Sequence, residues 1–376
     1  MHDFINRREY LCRASQGCLA SAAGMFIAGS AKLLVAETAT KHAFPVNLKI
    51  SLNAYSFSKM LNDHNRDETT GLSLFQLLEF CGQHGFEGID PTGYFFPGYP
   101  KVPADEYVNS FKRRAFNLGI GISGTGVRNN FTTADKSIRA ASVQHIKEWV
   151  EVAARLGAPV LRVFADTQMK SQTWQTVAPG CTRDQVEEWI ADDVRDCAEH
   201  GKKFGVIIGV QNHGDFLKTS GEQLSLIRRV ASEWCGPIVD TGYYRSDDPY
   251  RDIAAVARHA VNWQIKESPV AAGSDVRTDL KKLMTIVRQS GYRGYLPIET
   301  LSASGKEYDP FQVVPPFLAE LRQAFEATAS IPSPVPMELS SRPVSPTTSN
   351  SKATSSPDAP PVRKPANKKK LNPSAN

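Results

Sequence analysis

The chain has 376 residues, of which 41% are hydrophobic and 22% are charged, and its formal net charge at pH 7 is +5. A chain of this length can bury one large core or two modest ones. The basic excess lies at the two ends, since residues 331–376 carry seven Lys and Arg against two Asp and Glu, and residues 1–36 carry four against two. The remainder is slightly acidic, which argues against a nucleic-acid-binding surface on the globular part.

Residues 1–36 have the order of an export signal. Arg7 and Arg8 are followed by a polar residue and then two apolar ones, which resembles the twin-arginine motif. Residues 19–31 are mildly apolar and rich in Ala and Gly, too short and too weakly apolar for a stable membrane span. We therefore predict a twin-arginine-type signal peptide over residues 1–36 and an exported, periplasmic protein. An ordinary amphipathic helix is the alternative.

From Asn47 to Phe325 one pattern repeats along the chain: a helical segment closes near a glycine, and a short apolar strand follows. Glycine suits the left-handed residue that ends a helix. The pattern gives eight strands, which predicts an α/β fold, a (β/α)8 TIM barrel, over residues 44–327. A doubly wound open sheet is the alternative, but residues 54–57 are not the glycine-rich turn that it needs after its first strand.

Four late strands of this predicted barrel end in polar side chains. The run of residues 206–210 is continuously apolar, as in a strand buried on both faces, and it leads into Gln211 and His213. The three strands that follow end at Asp240, at residues 264–267 and at Glu299. Because the carboxyl ends of parallel strands meet at one rim, the sequence predicts a metal or sugar site there.

Residues 331–376 differ in composition from everything before them. Pro, Ser, Thr, Ala, Asn and Lys dominate this segment, and large apolar side chains are almost absent. Such a segment cannot bury enough apolar surface to offset the entropy lost on ordering. We predict a disordered tail rich in Pro, Ser, Thr and Lys over residues 331–376.

The stretches at the strand ends resemble those of the sugar phosphate isomerase/epimerase superfamily, the xylose isomerase-like TIM barrels. The similar pieces are Gly-Val-Gln-Asn-His-Gly-Asp at 209–215, Val-Asp-Thr-Gly at 239–242, Gln-Ile-Lys-Glu at 264–267 and Pro-Ile-Glu at 297–299. The resemblance implies one divalent cation held by Glu, Asp, His and Glu, and two glutamates that move protons on substrate carbons. The corresponding positions here are Gln211, Asp240, Gln264 and Glu299.

Two of these four positions depart from the pattern of the family. Gln211 and Gln264 still offer amide oxygens that suit Mg2+ or Mn2+, but the loss of one carboxylate weakens the hold on a dication. The resemblance therefore implies one weakly held Mg2+ or Mn2+ as cofactor. Glu299 is the predicted base, because a neutral amide cannot take a proton. The second acid/base group is expected among Lys266, His213, Glu267 and Asp90, and substrate contacts are expected from Arg162, Asp90, Glu267 and Trp174.

The leading hypothesis is an exported sugar isomerase or epimerase, or a related lyase, that acts on a small carbohydrate or keto-sugar by metal-assisted proton transfer. A phosphodiesterase of the endonuclease IV type is one alternative. It generally needs three clustered metals with several His ligands, and among the eight His of this chain only His213 is expected at the rim. A non-catalytic sugar-binding barrel is the other alternative, which the two glutamines favour. No nucleic-acid partner and no stable membrane insertion are expected.

Overall fold

The structure is a computed structural model that describes residues 48–167, 172–269, 276–301 and 307–334. The predicted signal peptide and nearly all of the predicted tail lie outside these ranges, and both stay predictions. Among the described residues, no helix is both long enough and apolar enough to cross a membrane.

The strands form a closed barrel of parallel pairs. The described segments are β1 Lys49–Asn53, β2 Gly88–Asp90, β3 Gly121–Ile122, β4 Thr125–Gly126, β5 Val160–Phe164, β6 Ile207–Gln211, β7 Cys235–Asp240, β8 Asn262–Gln264 and β9 Tyr295–Ile298. Pairing runs β3-β2-β1-β9 and β4-β5-β6-β7-β8. Two residues separate β3 from β4, which are halves of one strand position, and Ile265 pairs with Ile298 to join β8 and β9. The barrel therefore has eight strand positions, and the predicted (β/α)8 fold is confirmed.

Helices connect the strands. They are α1 Ser58–Arg66, α2 Leu74–His84, α3 Asp105–Asn117, α4 Lys136–Leu156, α5 Trp174–Val177, α6 Arg183–Phe204, α7 Ser220–Val230, α8 Pro249–Ala257, α9 Leu280–Ser290 and α10 Pro310–Ala327, with short 3-10 turns at Ala54–Phe57 and Gly93–Phe95. Helices α2, α6 and α7 begin with a reciprocal capping box, at Ser73, Thr182 and Thr219. The predicted glycines at the helix ends adopt positive φ, at Gly85, Gly119, Gly157, Gly205 and Gly291.

The strands supply a core that is buried on both faces. Every residue of β5 and of β7 is buried, which explains why both strands are mainly apolar, with Arg162 and Asp240 as the charged residues. On α4 the buried residues recur at helical spacing, as at Val143, Ile146 and Val150. Buried polar side chains collect at the carboxyl ends of the strands, at Asn53, Asp90, Gln211, Asp240 and Gln264. This is the edge at which barrels of this kind carry their sites.

Candidate active site

A cavity of about 460 Å³ opens at the carboxyl-terminal rim of the barrel. That volume lies in the range of small-molecule sites. Five of the residues predicted from the sequence line it, namely Arg162, Gln211, His213, Lys266 and Glu299. The rim of this barrel therefore brings together side chains from the ends of β5, β6, β8 and β9.

Lys266 links the two carboxylates of the predicted site. Its ammonium donates a hydrogen bond to Glu299 Oε1 and lies 3.5 Å from Asp240 Oδ2. The side chains of Lys266 and Glu299 are 7% and 6% exposed, and that of Asp240 is 0% exposed. The result is a buried group of one ammonium and two carboxylates in which Asp240 lies beneath the residues that face the cavity.

The ammonium of Lys266 and the two carboxylates favour each other's charged forms. Burial by itself lowers the pKa of Lys266, but the carboxylates of Asp240 and Glu299 outweigh it and raise the pKa above its usual value. Burial raises the pKa of Asp240, and Lys266 acts against that rise. Lys266 is therefore a charged ammonium at neutral pH, and is poorly suited to accept a proton from a substrate.

Both glutamines of the predicted metal site are hydrogen-bonded to neighbouring side chains. Gln211 turns its amide nitrogen towards Asp240 Oδ2, at 2.6 Å, and its Oε1 has no hydrogen-bond partner among the described residues. Gln264 Oε1 accepts a hydrogen bond of 2.7 Å from Asn53 Nδ2. Both glutamines thus hold the protein network together at the strand ends.

The predicted set of four metal ligands comes together but does not fit a bound dication. An ammonium lies between the two carboxylates, one amide donates to Asp240, and the oxygen of the other amide is already bonded. In addition, no group of three or more His, Cys, Asp or Glu within the described ranges is placed to hold a metal ion. This includes the clustered ligands that a three-metal phosphodiesterase would need.

His213 and Asp166 form a second polar pair in the wall of the cavity. His213 Nδ1 lies 2.6 Å from Asp166 Oδ2. The imidazole packs against the ring of Tyr243, with centroids 4.3 Å apart. Gly214 has a φ of +69°, and a Cβ there would lie 2.6 Å from Asp166 Cβ, so glycine is required for this contact. A histidine oriented by a carboxylate in this way is arranged for acid/base work.

Arg162 is buried in the wall of the same cavity. Its Nη2 donates to Tyr94 Oη at 2.7 Å. Burial disfavours its charge, but Tyr94 and nearby carboxylates raise the pKa of the guanidinium. Gly126 makes room for it, because a Cβ at that position would lie 2.6 Å from Arg162 Nε. The guanidinium is therefore a fixed positive charge beside the cavity.

Asp90 lies below the cavity rather than in its lining. It is 1% exposed, and Thr92 Oγ1 donates to it over 3.5 Å. Burial, together with the nearby Glu299, outweighs the attraction of Arg162 and raises the pKa of Asp90 to about 6. The charge of Asp90 therefore affects Glu299 and Arg162. Its side chain does not line the cavity, so the structure shows no surface of Asp90 that a substrate would contact.

Two of the predicted substrate contacts are directed elsewhere in this structure. Glu267 pairs with Arg277 at 3.3 Å, and its neighbour Lys266 faces the cavity, since successive residues of an extended strand point to opposite sides. The ring of Trp174 packs edge-on against Phe216, with centroids 5.8 Å apart. Neither residue is part of the cavity lining. Trp174 contributes its backbone nitrogen, which donates to Asp215 Oδ2 at 2.9 Å.

Asp166 was not among the residues singled out from the sequence. Arg162, Phe164 and Asp166 all line the cavity, at a spacing of two that carries the direction of β5 past its end. If Arg162 is taken to face the site, the alternation along the strand therefore predicts that Asp166 faces it as well. Arg128 and Tyr55 also line the cavity, but Arg128 lies on an irregular connection and Tyr55 on a short 3-10 turn, and the sequence pattern does not give the direction of either side chain.

Residues 78–324 match the family profile described as xylose isomerase-like TIM barrel. This match covers more than half of the chain, and the chain belongs to the xylose isomerase-like TIM barrel family. A comparison with curated proteins found no significant match.

Several solved structures share the fold. The E. coli 3-keto-D-glucoside 4-epimerase YcjR, in its apo form, is 15% identical with a TM-score of 0.58, over 74% of this chain and 100% of that chain. An L-ribulose 3-epimerase is 16% identical with a TM-score of 0.59, over 75% and 97%. The D-psicose 3-epimerase of Clostridium cellulolyticum, solved with D-tagatose, is 13% identical with a TM-score of 0.59, over 76% and 100%. At these identities the similarity establishes the fold.

Proposed function

We propose that this protein is a sugar isomerase or epimerase-like enzyme that moves a proton on a carbon next to a carbonyl of a small keto-sugar. The observation that carries the proposal is the placement of Glu299 and the His213–Asp166 pair in the lining of one cavity. Structures with the same fold are epimerases of keto-sugars and of a 3-keto-glucoside, which supports the substrate class.

Glu299 is the proposed base. Lys266 holds its Oε1, which leaves Oε2 to remove the proton next to the substrate carbonyl. The electron pair of the broken C–H bond forms a C=C bond, the π pair of the carbonyl moves to its oxygen, and an enediolate results. The ammonium of Lys266 is positively charged and held in place, so it stabilises that oxygen as a hydrogen-bond donor in the way that an oxyanion site does.

His213 is the proposed second acid/base group. Of the candidates predicted from the sequence, Glu267 is paired with Arg277 away from the cavity, Asp90 is buried beneath it, and Lys266 is engaged with two carboxylates. His213 lines the cavity, and Asp166 holds its Nδ1 side. Its other nitrogen can return a proton to the enediolate carbon, which completes the isomerisation or epimerisation.

The experiment is solvent deuterium exchange followed by NMR, with a panel of ketopentoses, ketohexoses and keto-glucosides in D2O. We expect wild type to exchange the proton next to the carbonyl of at least one of them. Glu299→Gln should slow the exchange by about 10²–10⁴-fold, the usual contribution of a positioned base. Glu267→Gln is the matched control, because Glu267 is also a rim glutamate but points away from the cavity.

Equal exchange by wild type and Glu299→Gln would show that the base is misassigned. A different outcome is that a sugar binds but its proton is not exchanged. If calorimetry detects binding of one of these sugars but no proton exchange occurs, the non-catalytic sugar-binding barrel becomes the better description.

Export remains part of the proposal, on the strength of the paired arginines and the apolar stretch behind them. We expect replacement of Arg7 and Arg8 by Lys to leave the precursor in the cytoplasm, because the pair is read by a receptor. Cell fractionation with an antibody to the barrel measures this. Unchanged delivery to the periplasm would contradict the twin-arginine assignment.

A further inference from the structure

We infer that the ammonium of Lys266 takes the place of a divalent cation in this barrel, so that the site is built to work without a metal ion. The inference concerns the cation of the site and does not require the proposed sugar chemistry. It departs from the weakly held Mg2+ or Mn2+ that the resemblance implies.

The first argument is the position of the ammonium. The carboxylates of Asp240 and Glu299 are the two negative groups at the four predicted ligand positions. Lys266 Nζ donates to one of them and lies 3.5 Å from the other. A dication bound by the same two carboxylates would require this ammonium to leave a buried place between them, or to lose its proton.

The second argument is the direction of the other donors. The amide nitrogen of Gln211 donates to Asp240 Oδ2, so one oxygen of this carboxylate is engaged by an N–H group of the protein. The second oxygen of Asp240 accepts from the backbone nitrogen of Gly242, at 3.0 Å. Both oxygens of Asp240 are thus surrounded by N–H groups, as suits a carboxylate paired with an ammonium rather than with a metal.

The third argument is the charge balance. The pattern of the family, with three carboxylates, one imidazole and one dication, has a net charge of −1. In this chain Gln211 replaces one carboxylate and the ammonium replaces the dication. Two carboxylates and one ammonium again give a net charge of −1, so the loss at Gln211 and the presence of Lys266 compensate each other.

The residues that directly follow β7 fix the position of the lysine side chain. The backbone nitrogen of Lys266 donates to Thr241 Oγ1 at 2.8 Å. Gly242 leaves room for the stem, since a Cβ at that position would lie 2.9 Å from Lys266 Cγ. These contacts hold the ammonium at the cavity floor, where it lines the space that a ligand would occupy.

The test is Mn2+ binding, followed by calorimetry and by electron paramagnetic resonance after treatment with a chelator. Five proteins are compared: wild type, Lys266→Met, Lys266→Met combined with Gln211→Glu, Glu299→Gln, and Lys281→Met as a control at an exposed lysine of α9. We expect no saturable Mn2+ binding by wild type or by Lys281→Met.

Removal of the ammonium should uncover a cation site. We expect Lys266→Met with Gln211→Glu to bind one Mn2+ at least about a hundredfold more tightly than wild type, because a repelling charge is lost and an attracting one is gained. Lys266→Met alone should lie between the two. Mn2+ should also raise the melting temperature of these two variants and leave that of wild type unchanged.

Two results would overturn the inference. One is saturable binding of one Mn2+ by wild type that disappears in Glu299→Gln; this needs only proteins that keep Lys266, so it decides the matter even if the Lys266 variants fail to fold. The other is a folded double variant, judged by its near-ultraviolet circular dichroism, that binds Mn2+ no better than wild type. Neither measurement uses a sugar, so either result is independent of the proposed isomerase activity.

Discussion

Two polar regions share one cavity and differ in how they are held. The closed region, defined by Asp240, Lys266 and Glu299, lies at the ends of β7 to β9, and none of its side chains is more than 7% exposed. The open region, defined by Asp166 and His213, follows β5 and β6, and the His213 side chain is 30% exposed. Both carboxylates of the closed region contact an ammonium of the protein itself, whereas the imidazole of the open region reaches solvent.

This difference separates two roles that a metal and its ligands would combine. The closed region fixes a positive charge in a place with little water, where electrostatic interactions are strong. The open region can exchange protons with solvent, as an acid/base group must between turnovers. A comparison of variants in the two regions should therefore give opposite patterns, with large effects on stability in the closed region and small ones in the open region.

The largest expected effect on stability comes from Lys266→Met. This change leaves Asp240 and Glu299 buried without their cation, and removal of one partner from a buried ionic group costs about 3–5 kcal/mol. Urea unfolding at neutral pH measures the free energy. The triple variant with Lys266→Met, Asp240→Asn and Glu299→Gln removes the uncompensated charge as well, and should recover most of the loss. A cost below about 1 kcal/mol for Lys266→Met would put the group in the class of exposed ion pairs.

The next effect in size is the pH dependence that Asp90 imparts. Its pKa is raised from 3.8 to about 6, mainly by burial, so the folded protein holds this proton more tightly than the unfolded chain does. The resulting stabilisation is fully present below pH 3.8 and is lost as the pH rises through about 6. Asp90→Asn removes it, so the stability of the variant relative to wild type should rise by about 2–3 kcal/mol between about pH 4 and pH 7.

Chemical unfolding at several pH values measures this difference, and Asp247→Asn serves as a control at an exposed carboxylate. A difference between Asp90→Asn and wild type that does not change with pH would show that Asp90 is not held protonated by its surroundings.

The smallest expected effect on stability belongs to the open region. Asp166→Asn weakens the hydrogen-bonded contact with a partly exposed histidine, so its cost through that contact should be about 1 kcal/mol. The same change should lower proton exchange on a keto-sugar by more than tenfold, because the imidazole loses the carboxylate that orients it. Unfolding measures the cost in stability and deuterium exchange measures the loss of activity, and both are measured on one protein sample. An unfolding cost as large as that of Lys266→Met would remove the distinction between the regions.

Much of the fold followed from local features of the sequence. Unbroken apolar runs such as residues 206–210 predicted strands buried on both faces, and a glycine such as Gly157, with φ of +80°, marked the end of a helix. Both signals depend on the residue and its near neighbours, so they could be read without knowing the partner strands. The same reading placed Gln211, Asp240, Gln264 and Glu299 at the ends of successive strands.

Only the tertiary structure decided what those side chains do to one another. Lys266 and Glu267 are neighbours in the sequence, but their side chains point in opposite directions. Lys266 faces the cavity and Glu267 contacts Arg277. Asp240 and Lys266 are 3.5 Å apart in space, although the loop after β7 and helix α8 separate them in the chain. The sequence by itself thus determined which polar groups reach the rim. Whether they face a metal, an ammonium or each other depends on distances of a few ångströms across the barrel, because electrostatic and hydrogen-bond energies change steeply over that range.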